Sequence, residues 1–152
     1  MSSSASTVGA RRPDLPTPPV QAHRFAQART AQSTALLEDY AELISDLLAQ
    51  EGEARTTDIA RRLGVSHATA IKALGRLKRE GLATARPYRG VFLTPAGQDL
   101  AARARARHRL VVDVLIAIGV PQDAAEQDAE GIEHHVSDTT LEAFARFIGR
   151  AT

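Results

Sequence analysis

The sequence contains no cysteine and few aromatic residues. The absence of cysteine from all 152 residues excludes disulfides, zinc–thiolate sites and thiol catalysis. Aromatic residues make up only 4% of the chain, so its core must consist mainly of Leu, Ile, Val and Ala. Hydrophobic residues, at 43%, are sufficient for one ordinary domain or for two small ones that share an interface.

Long apolar segments are also missing. No run approaches the roughly 20 residues that a membrane-spanning helix needs. The first residues, Met1 to Ser6, lack the apolar segment of a secretion signal. We therefore expect a cytoplasmic protein without membrane partners.

The net charge of +1 conceals an uneven distribution along the chain. Residues 55–90 carry a net charge of +7, whereas residues 31–54 carry −6 and residues 91–152 carry −3. A basic block between acidic flanks indicates a nucleic-acid-binding face beside an acidic region that can attract cations.

The N-terminal part divides into an arm and a helix. Residues 1–32 are rich in Ser, Ala, Pro and Arg, a composition that predicts a disordered arm. From about Ser33 to Gln50, apolar residues recur at spacings of three and four, which predicts an amphipathic helix. Asp39 and Glu42 fall on a neighbouring face of that helix.

Residues 55–80 carry the pattern of a helix-turn-helix. A short helix from Asp58 to Leu63 and a second from His67 to about Glu80 are separated by a turn at Gly64. Ser66 can cap the second helix. The combination of the turn, the charge block and the polar start of the second helix favours DNA binding.

The second helix and the residues after it are expected to face DNA. Ile71, Leu74 and Leu77 supply its apolar side, and polar and basic residues lie opposite. Two short strands, Ala83–Pro87 and Val91–Leu93, predict the wing of a winged helix. Small residues can approach bases while basic ones reach phosphates. The candidate DNA contacts are Ser66, His67, Thr69, Lys72, Arg76, Arg79, Arg86 and Arg89.

The remainder of the chain predicts a helical second domain. A long helix from about Pro95 to Ile118, a short one from Pro121 to about Ala129 and a last one capped by Ser137 all have apolar faces. We expect a mainly α protein. It would consist of the arm 1–32, a winged helix-turn-helix DNA-binding domain 33–94 and a helical dimerisation and metal-binding domain 95–152.

Residues 128–135 concentrate three acids and two histidines. In a helix, Glu130, Glu133 and His134 would share one face, at positions i, i+3 and i+4. Convergent carboxylates repel each other, and a divalent metal between them relieves that repulsion. Oxygen and nitrogen donors without sulfur suit Mn²⁺ or Fe²⁺. This stretch alone leaves open the alternative of a solvated polar face.

Several segments also match a known family in order and spacing. They are residues 38–42, 65–66, 88–94, 107–108, 115–119 and 128–137. Together they resemble the manganese-responsive branch of the diphtheria-toxin-repressor family of metalloregulators. The resemblance covers about residue 33 to the C-terminus.

The resemblance implies a metal site, a dimer and a DNA target. By this resemblance, six side chains, given at the end of this paragraph, would bind Mn²⁺. As many as two ions would bind per subunit, and Glu130 and Glu133 would help to bridge them. The only methionine is Met1 and cysteine is absent, so the softer donors of iron-responsive relatives are missing. The bound homodimer would recognise a palindromic operator and repress manganese-uptake genes, without an organic ligand. The implied metal ligands are Asp39, Glu42, His108, Glu130, Glu133 and His134.

Three alternatives remain at this point. The chain could be an Fe²⁺-responsive repressor of the same family, or a winged-helix regulator that senses an organic ligand. A carboxylate-bridged di-iron enzyme would need two Glu-x-x-His motifs on separate helices. This chain has a single Glu-x-x-Glu-His cluster beside a DNA-binding head, so we do not expect an enzyme.

Overall fold

Helices dominate the structure, a computed structural model that describes residues 13–151. Within that range one antiparallel sheet of two strands accompanies six helices. None of the helices in the described part is long and apolar enough to cross a membrane. The elements are α1 (Pro18–Glu51), α2 (Thr56–Leu63), α3 (His67–Arg79), β1 (Ala83–Arg86), β2 (Gly90–Leu93), α4 (Pro95–Ala117), α5 (Gln122–Ile132) and α6 (Asp138–Ala151).

Helix α1 begins at Pro18 and not near Ser33. The prediction of a disordered arm is therefore wrong for residues 18–32, while residues 1–12 lie outside the described range. Proline is well tolerated at the start of a helix, because N–H groups of the first turn have no acceptor within the helix and the lack of one costs nothing there. From position 20 to position 51 the chain contains neither Gly nor Pro. The proline cluster thus marks the start of a helix.

Helices α2 and α3 form the expected helix-turn-helix. Gly64 takes the left-handed conformation between them, with φ +68°. Ser66 caps α3 by accepting the N–H of Thr69 at 3.1 Å. The predicted apolar face of α3 is wrong for Ile71, which is 54% exposed. The buried positions are instead Ala70, Ala73, Leu74 and Leu77, whose spacing of three and four fits one helix face better.

Strands β1 and β2 form the predicted wing, with Ala83 paired to Leu93 and Arg86 paired to Gly90. Gly90 has φ +82°, and a Cβ there would lie 2.4 Å from the carbonyl oxygen of Ala54. Only glycine fits such a position. The wing is thereby held against the end of α1, and the predicted winged-helix, mainly α fold is confirmed.

Two cores lie along α4. The first combines apolar residues of α1, α2, α3, the wing and the start of α4, and the second packs Val111 and Val112 against Ala125 and Ala129 of α5. Thr94 caps α4 by accepting the N–H of Gly97. Because α4 contributes to both cores and packs on α1, it sets the position of the C-terminal helices relative to the DNA-binding head.

Candidate metal centre and DNA-binding surface

Helices α1 and α4 supply three of the six predicted metal ligands. Asp39 and Glu42 lie on α1, and His108 lies on α4. On α1 the apolar neighbours Tyr40 and Ala41 are buried, and the two acids are half-buried at the edge of that face. The packing of α1 on α4 therefore brings the acids of the head towards His108.

The other three predicted ligands lie at the end of α5. Glu130 is in its last turn, and Glu133 follows Ile132 with right-handed backbone angles, donating its N–H to the carbonyl four residues earlier. His134 lies in the turn beyond the helix. The helix that would have placed all three on one face therefore ends before His134, and only Glu130 and Glu133 keep helical backbone angles. Gly131, a weak helix former, precedes this end.

A first group of candidate ligands consists of His108, Glu130 and Glu133. His108 Nδ1 lies 2.7 Å from Glu133 Oε2 and 3.7 Å from Glu130 Oε1. Burial favours the neutral ring, but the hydrogen bond to Glu126 and the charge of Glu133 outweigh it and raise the pKa of His108. The group thus collects negative charge around one imidazole.

A second group consists of Asp39, Glu133 and His134. His134 Nε2 lies 3.0 Å from Asp39 Oδ1 and 3.3 Å from Glu133 Oε1. The adjacent carboxylates of Asp39 and Glu38 raise the pKa of His134 to about 10. Carboxylates thus surround His134, and a cation between them would offset their negative charge.

Glu133 belongs to both groups. It is fully buried, and burial raises its pKa to about 7 despite two neighbouring histidines. Its Oε2 faces His108, and its Oε1 faces His134. A single buried carboxylate with one oxygen in each group has the arrangement of a bridging ligand.

Glu42 joins neither group among the described residues. It is half-buried, and burial together with the negative charge of Glu130 raises its pKa. The charge of His108 opposes that shift. Glu42 therefore lies close enough to the first group to interact with its charges. The two groups together contain five of the six predicted ligands.

Two unpartnered atoms indicate that these residues suit a metal ion. In the described part of the chain, four buried side-chain atoms make no hydrogen bond of good geometry, and two of them are Glu133 Oε1 and His134 Nε2, although these two atoms lie 3.3 Å apart and Nε2 lies 3.0 Å from Asp39 Oδ1. Buried polar atoms normally have a partner, and an ion coordinated by both would supply it. The donors are carboxylate oxygen and imidazole nitrogen, a set suited to Mn²⁺ or Fe²⁺.

Three residues at this centre were missed at the sequence level. Glu38 is 4% exposed and lies 2.6 Å from His134 Nδ1. Arg107 forms an ion pair with Glu38, and Glu126 lies 2.8 Å from His108 Nε2. The available signals were spacing and adjacency, because Glu38 and Glu126 each precede a predicted ligand by four residues and Arg107 precedes His108.

The residues predicted to contact DNA lie at and along α3 and in the wing. Seven of the eight candidate contacts are exposed, and Arg76 is half-buried. The Arg76 guanidinium donates to the carbonyl oxygen of Ser33 at 3.1 Å and also pairs with Glu80. Arg76 therefore ties α3 to α1, which reduces its availability to phosphate. In the wing, the Arg86 guanidinium lies 5.1 Å from the centre of the Phe92 ring.

Comparison with known proteins identifies the family. Residues 33–91 match the N-terminal DNA-binding domain of iron-dependent repressors, and residues 94–152 match the metal-binding and dimerisation domain. The transcriptional regulator MntR of Salmonella typhimurium is 51% identical over 123 residues, which are 81% of this chain and 78% of that protein. The chain belongs to the MntR group of the iron-dependent repressor family. MntR of Lysinibacillus sphaericus is 37% identical over 76% of this chain and 83% of its own length.

Solved structures agree with this family assignment. The manganese regulator SloR superimposes with a TM-score of 0.66 at 29% identity, over 74% of this chain and 53% of its own. A manganese-dependent transcriptional repressor in complex with manganese gives a TM-score of 0.65 at 33% identity, over 74% and 52%. The chain thus spans about half the length of these two proteins. Members of the MntR group are transcriptional regulators, which confirms that the chain is not a di-iron enzyme.

Proposed function

We propose that this protein is a manganese-dependent transcriptional repressor that acts in the cytoplasm as a homodimer on a palindromic operator. The observation that carries the proposal is the pair of ligand groups that Glu133 joins, in a chain with a winged helix-turn-helix. The MntR relatives and the manganese regulators of known structure support Mn²⁺ as the metal.

The proposed ligands would hold two ions per subunit. Asp39, Glu133 and His134 would bind one, and His108, Glu130 and Glu133 the other, with Glu42 joining the second group. When bound, the metal supplies positive charge between carboxylates that otherwise repel each other. Both histidines must then present an unprotonated nitrogen to it.

The proposed centre links two parts of the molecule. Asp39 and Glu42 belong to α1, which packs into the first core together with the DNA-binding helices and the wing. His108 and the end of α5 lie beside the second core. A metal bound to both sides narrows the range of positions that the head can take. A dimer with fixed heads selects operator half-sites separated by about one helical turn of DNA or a multiple of it.

The dimer itself would form through an apolar groove in the C-terminal domain. Apolar residues at the end of α4 and on α6, together with Ile132, line this groove, and Ile118, Ile132 and Phe147 are its exposed members. Such a patch usually marks an interaction site, and the matching family domain is described as one of dimerisation. The residues that line it are Val111, Val114, Leu115, Ile118, Ile132, Phe144 and Phe147.

Fluorescence anisotropy with labelled DNA tests this function. A duplex selected from random DNA in the presence of Mn²⁺ should bind at least about tenfold more tightly with Mn²⁺ than with a chelator. Equal affinity in both conditions would refute the metal-dependent switch and favour a regulator that senses an organic ligand.

The iron-dependent alternative follows from the family description and needs a separate comparison. Anaerobic titrations with Mn²⁺ and with Fe²⁺ should give the tighter DNA complex with Mn²⁺ at equal free metal. A tighter complex with Fe²⁺ would assign the protein to iron regulation while leaving the site unchanged.

A further inference from the structure

Each histidine of the centre lies between two sets of carboxylates. One nitrogen of His134, Nε2, faces Asp39 and Glu133, and the other, Nδ1, lies 2.6 Å from Glu38 Oε2. His108 repeats this arrangement in reverse. Its Nδ1 faces Glu133 and Glu130, and its Nε2 lies 2.8 Å from Glu126 Oε2.

The chemistry of these contacts assigns a role to each nitrogen. An ionised carboxylate can only accept a hydrogen bond, so the nitrogen that faces Glu38 or Glu126 must carry a proton. A neutral imidazole carries one proton, and the other nitrogen is then free to coordinate a metal. The inner nitrogens also face carboxylates, those of Asp39, Glu130 and Glu133, but these are the proposed ligands, and a bound metal would displace the proton of the inner nitrogen. Glu38 and Glu126 would keep the proton on the outer nitrogen, so the inner nitrogens would be the metal donors.

We propose that Glu38 and Glu126 are positioning residues, which hold His134 and His108 as metal ligands without touching the metal themselves. This inference rests on the proposed metal centre. Carboxylates that accept the second N–H of a metal-binding histidine are known to fix its ring orientation and to raise its basicity.

Glu38 is excluded as a ligand by its own contacts. Its Oε1 pairs with Arg107, and its Oε2 is engaged with His134 Nδ1. Both oxygens of Glu38 are thus engaged, one by the Arg107 guanidinium and the other by the nitrogen of His134 that faces away from Asp39 and Glu133.

Glu38 should matter more than Glu126. The side chain of Glu38 is 5% exposed, whereas that of Glu126 is 51% exposed. Water competes for an exposed hydrogen bond and screens its charge, so the contact between Glu126 and His108 restrains the ring less. The expected order of effects is therefore Glu38 first and Glu126 second.

Calorimetric titration with Mn²⁺ tests the proposal in the full chain. Glu38→Gln should weaken Mn²⁺ binding 10- to 100-fold, the usual effect of removing such a partner, and Glu126→Gln should weaken it less. Glu142→Gln, the same change on exposed α6, serves as the matched control and should leave the affinity unchanged. An affinity within twofold of wild type for Glu38→Gln would overturn the proposal.

A second measurement needs no variant. With Zn²⁺ as a diamagnetic probe, long-range ¹H–¹⁵N correlation should show His134 protonated at Nδ1 and metal-bound at Nε2. The reverse pattern would overturn the proposal even if Glu38→Gln weakens binding. If the wild-type chain binds no Mn²⁺ at all, the proposed function fails. Tight binding by wild type and Glu38→Gln alike refutes only the positioning role.

Discussion

At the residue scale, Glu133 connects the two ligand groups. It is fully buried, and burial raises its pKa to about 7. The fold thus holds this carboxyl group at a place where its ionised form is disfavoured. One oxygen faces each histidine. A buried acid of this kind costs stability unless its charge is compensated, and a shared metal provides that compensation.

Replacing Glu133 with glutamine should separate stability from metal response. The Glu133→Gln protein should be at least as stable as wild type without metal, because a buried carboxylate is removed. Wild type should gain about 2.7 kcal/mol for each bound ion in Mn²⁺ at 100 times its Kd, and the variant should gain almost nothing. Urea unfolding with and without Mn²⁺ measures both quantities. A variant that keeps the full gain would remove Glu133 from the ligand set.

Two basic residues of α3 should behave differently on DNA. Lys72 is exposed, whereas Arg76 is bound to Ser33 and Glu80. Lys72→Ala should therefore lower the salt dependence of DNA binding by about one phosphate contact. Arg76→Ala should change that slope less and lower the stability of the metal-free protein more. Anisotropy over a salt series, with urea unfolding beside it, decides the matter. A larger drop in slope for Arg76→Ala would contradict this assignment.

At the scale of elements, the wing depends on one glycine. Gly90→Ala places a Cβ 2.4 Å from the Ala54 carbonyl oxygen at φ +82°, so we expect a loss of about 1–3 kcal/mol in the free energy of unfolding. Gly75→Ala is the control, because its Cβ meets only Arg79 at 3.5 Å within a helix. The control should be neutral or slightly stabilising. Equal stability of the two variants in urea would show that the wing tolerates a side chain.

Element types were largely predictable, but their limits and contacts were not. Caps at Ser66 and Thr94 and the wing followed from local chemistry. The start of α1 at Pro18 was missed, since a proline-rich composition is shared by disordered arms and helix starts. Ile71 was placed on the wrong face because one apolar residue cannot fix the rotation of a short helix that also has buried alanines.

For the candidate site as well, the residues were predictable from the sequence but their contacts were not. Spacing indicated Glu130, Glu133 and His134, the resemblance to the family implied Asp39, Glu42 and His108, and the fold gathers five of the six in two groups. The buried pairing of Glu38 with His134 joins residues from α1 and the turn after α5. Such contacts over long sequence separation leave no periodic pattern. The sequence thus indicates which residue types are present, while tertiary packing decides which of their atoms meet.

At the scale of the whole molecule, dimerisation should depend on the apolar groove of the C-terminal domain. Phe147 is 44% exposed on α6 and lines that groove, so Phe147→Glu should yield monomers and lower operator affinity. Phe25→Glu is a matched control on α1, where Phe25 is 60% exposed and outside the groove. Analytical ultracentrifugation measures the mass. If the Phe147→Glu protein remained dimeric, or if only the Phe25→Glu protein became monomeric, the dimer interface would lie elsewhere.

In the proposed switch, metal bound between α1, α4 and the end of α5 controls the DNA-binding head. If so, DNA must influence the metal by the same factor, because coupling between two binding sites is reciprocal. The direct test is Mn²⁺ affinity, measured by equilibrium dialysis for the protein alone, on its selected operator and on a scrambled duplex. We predict that Mn²⁺ binds about 5- to 150-fold more tightly on the operator. Equal Mn²⁺ affinity in all three samples would contradict the account.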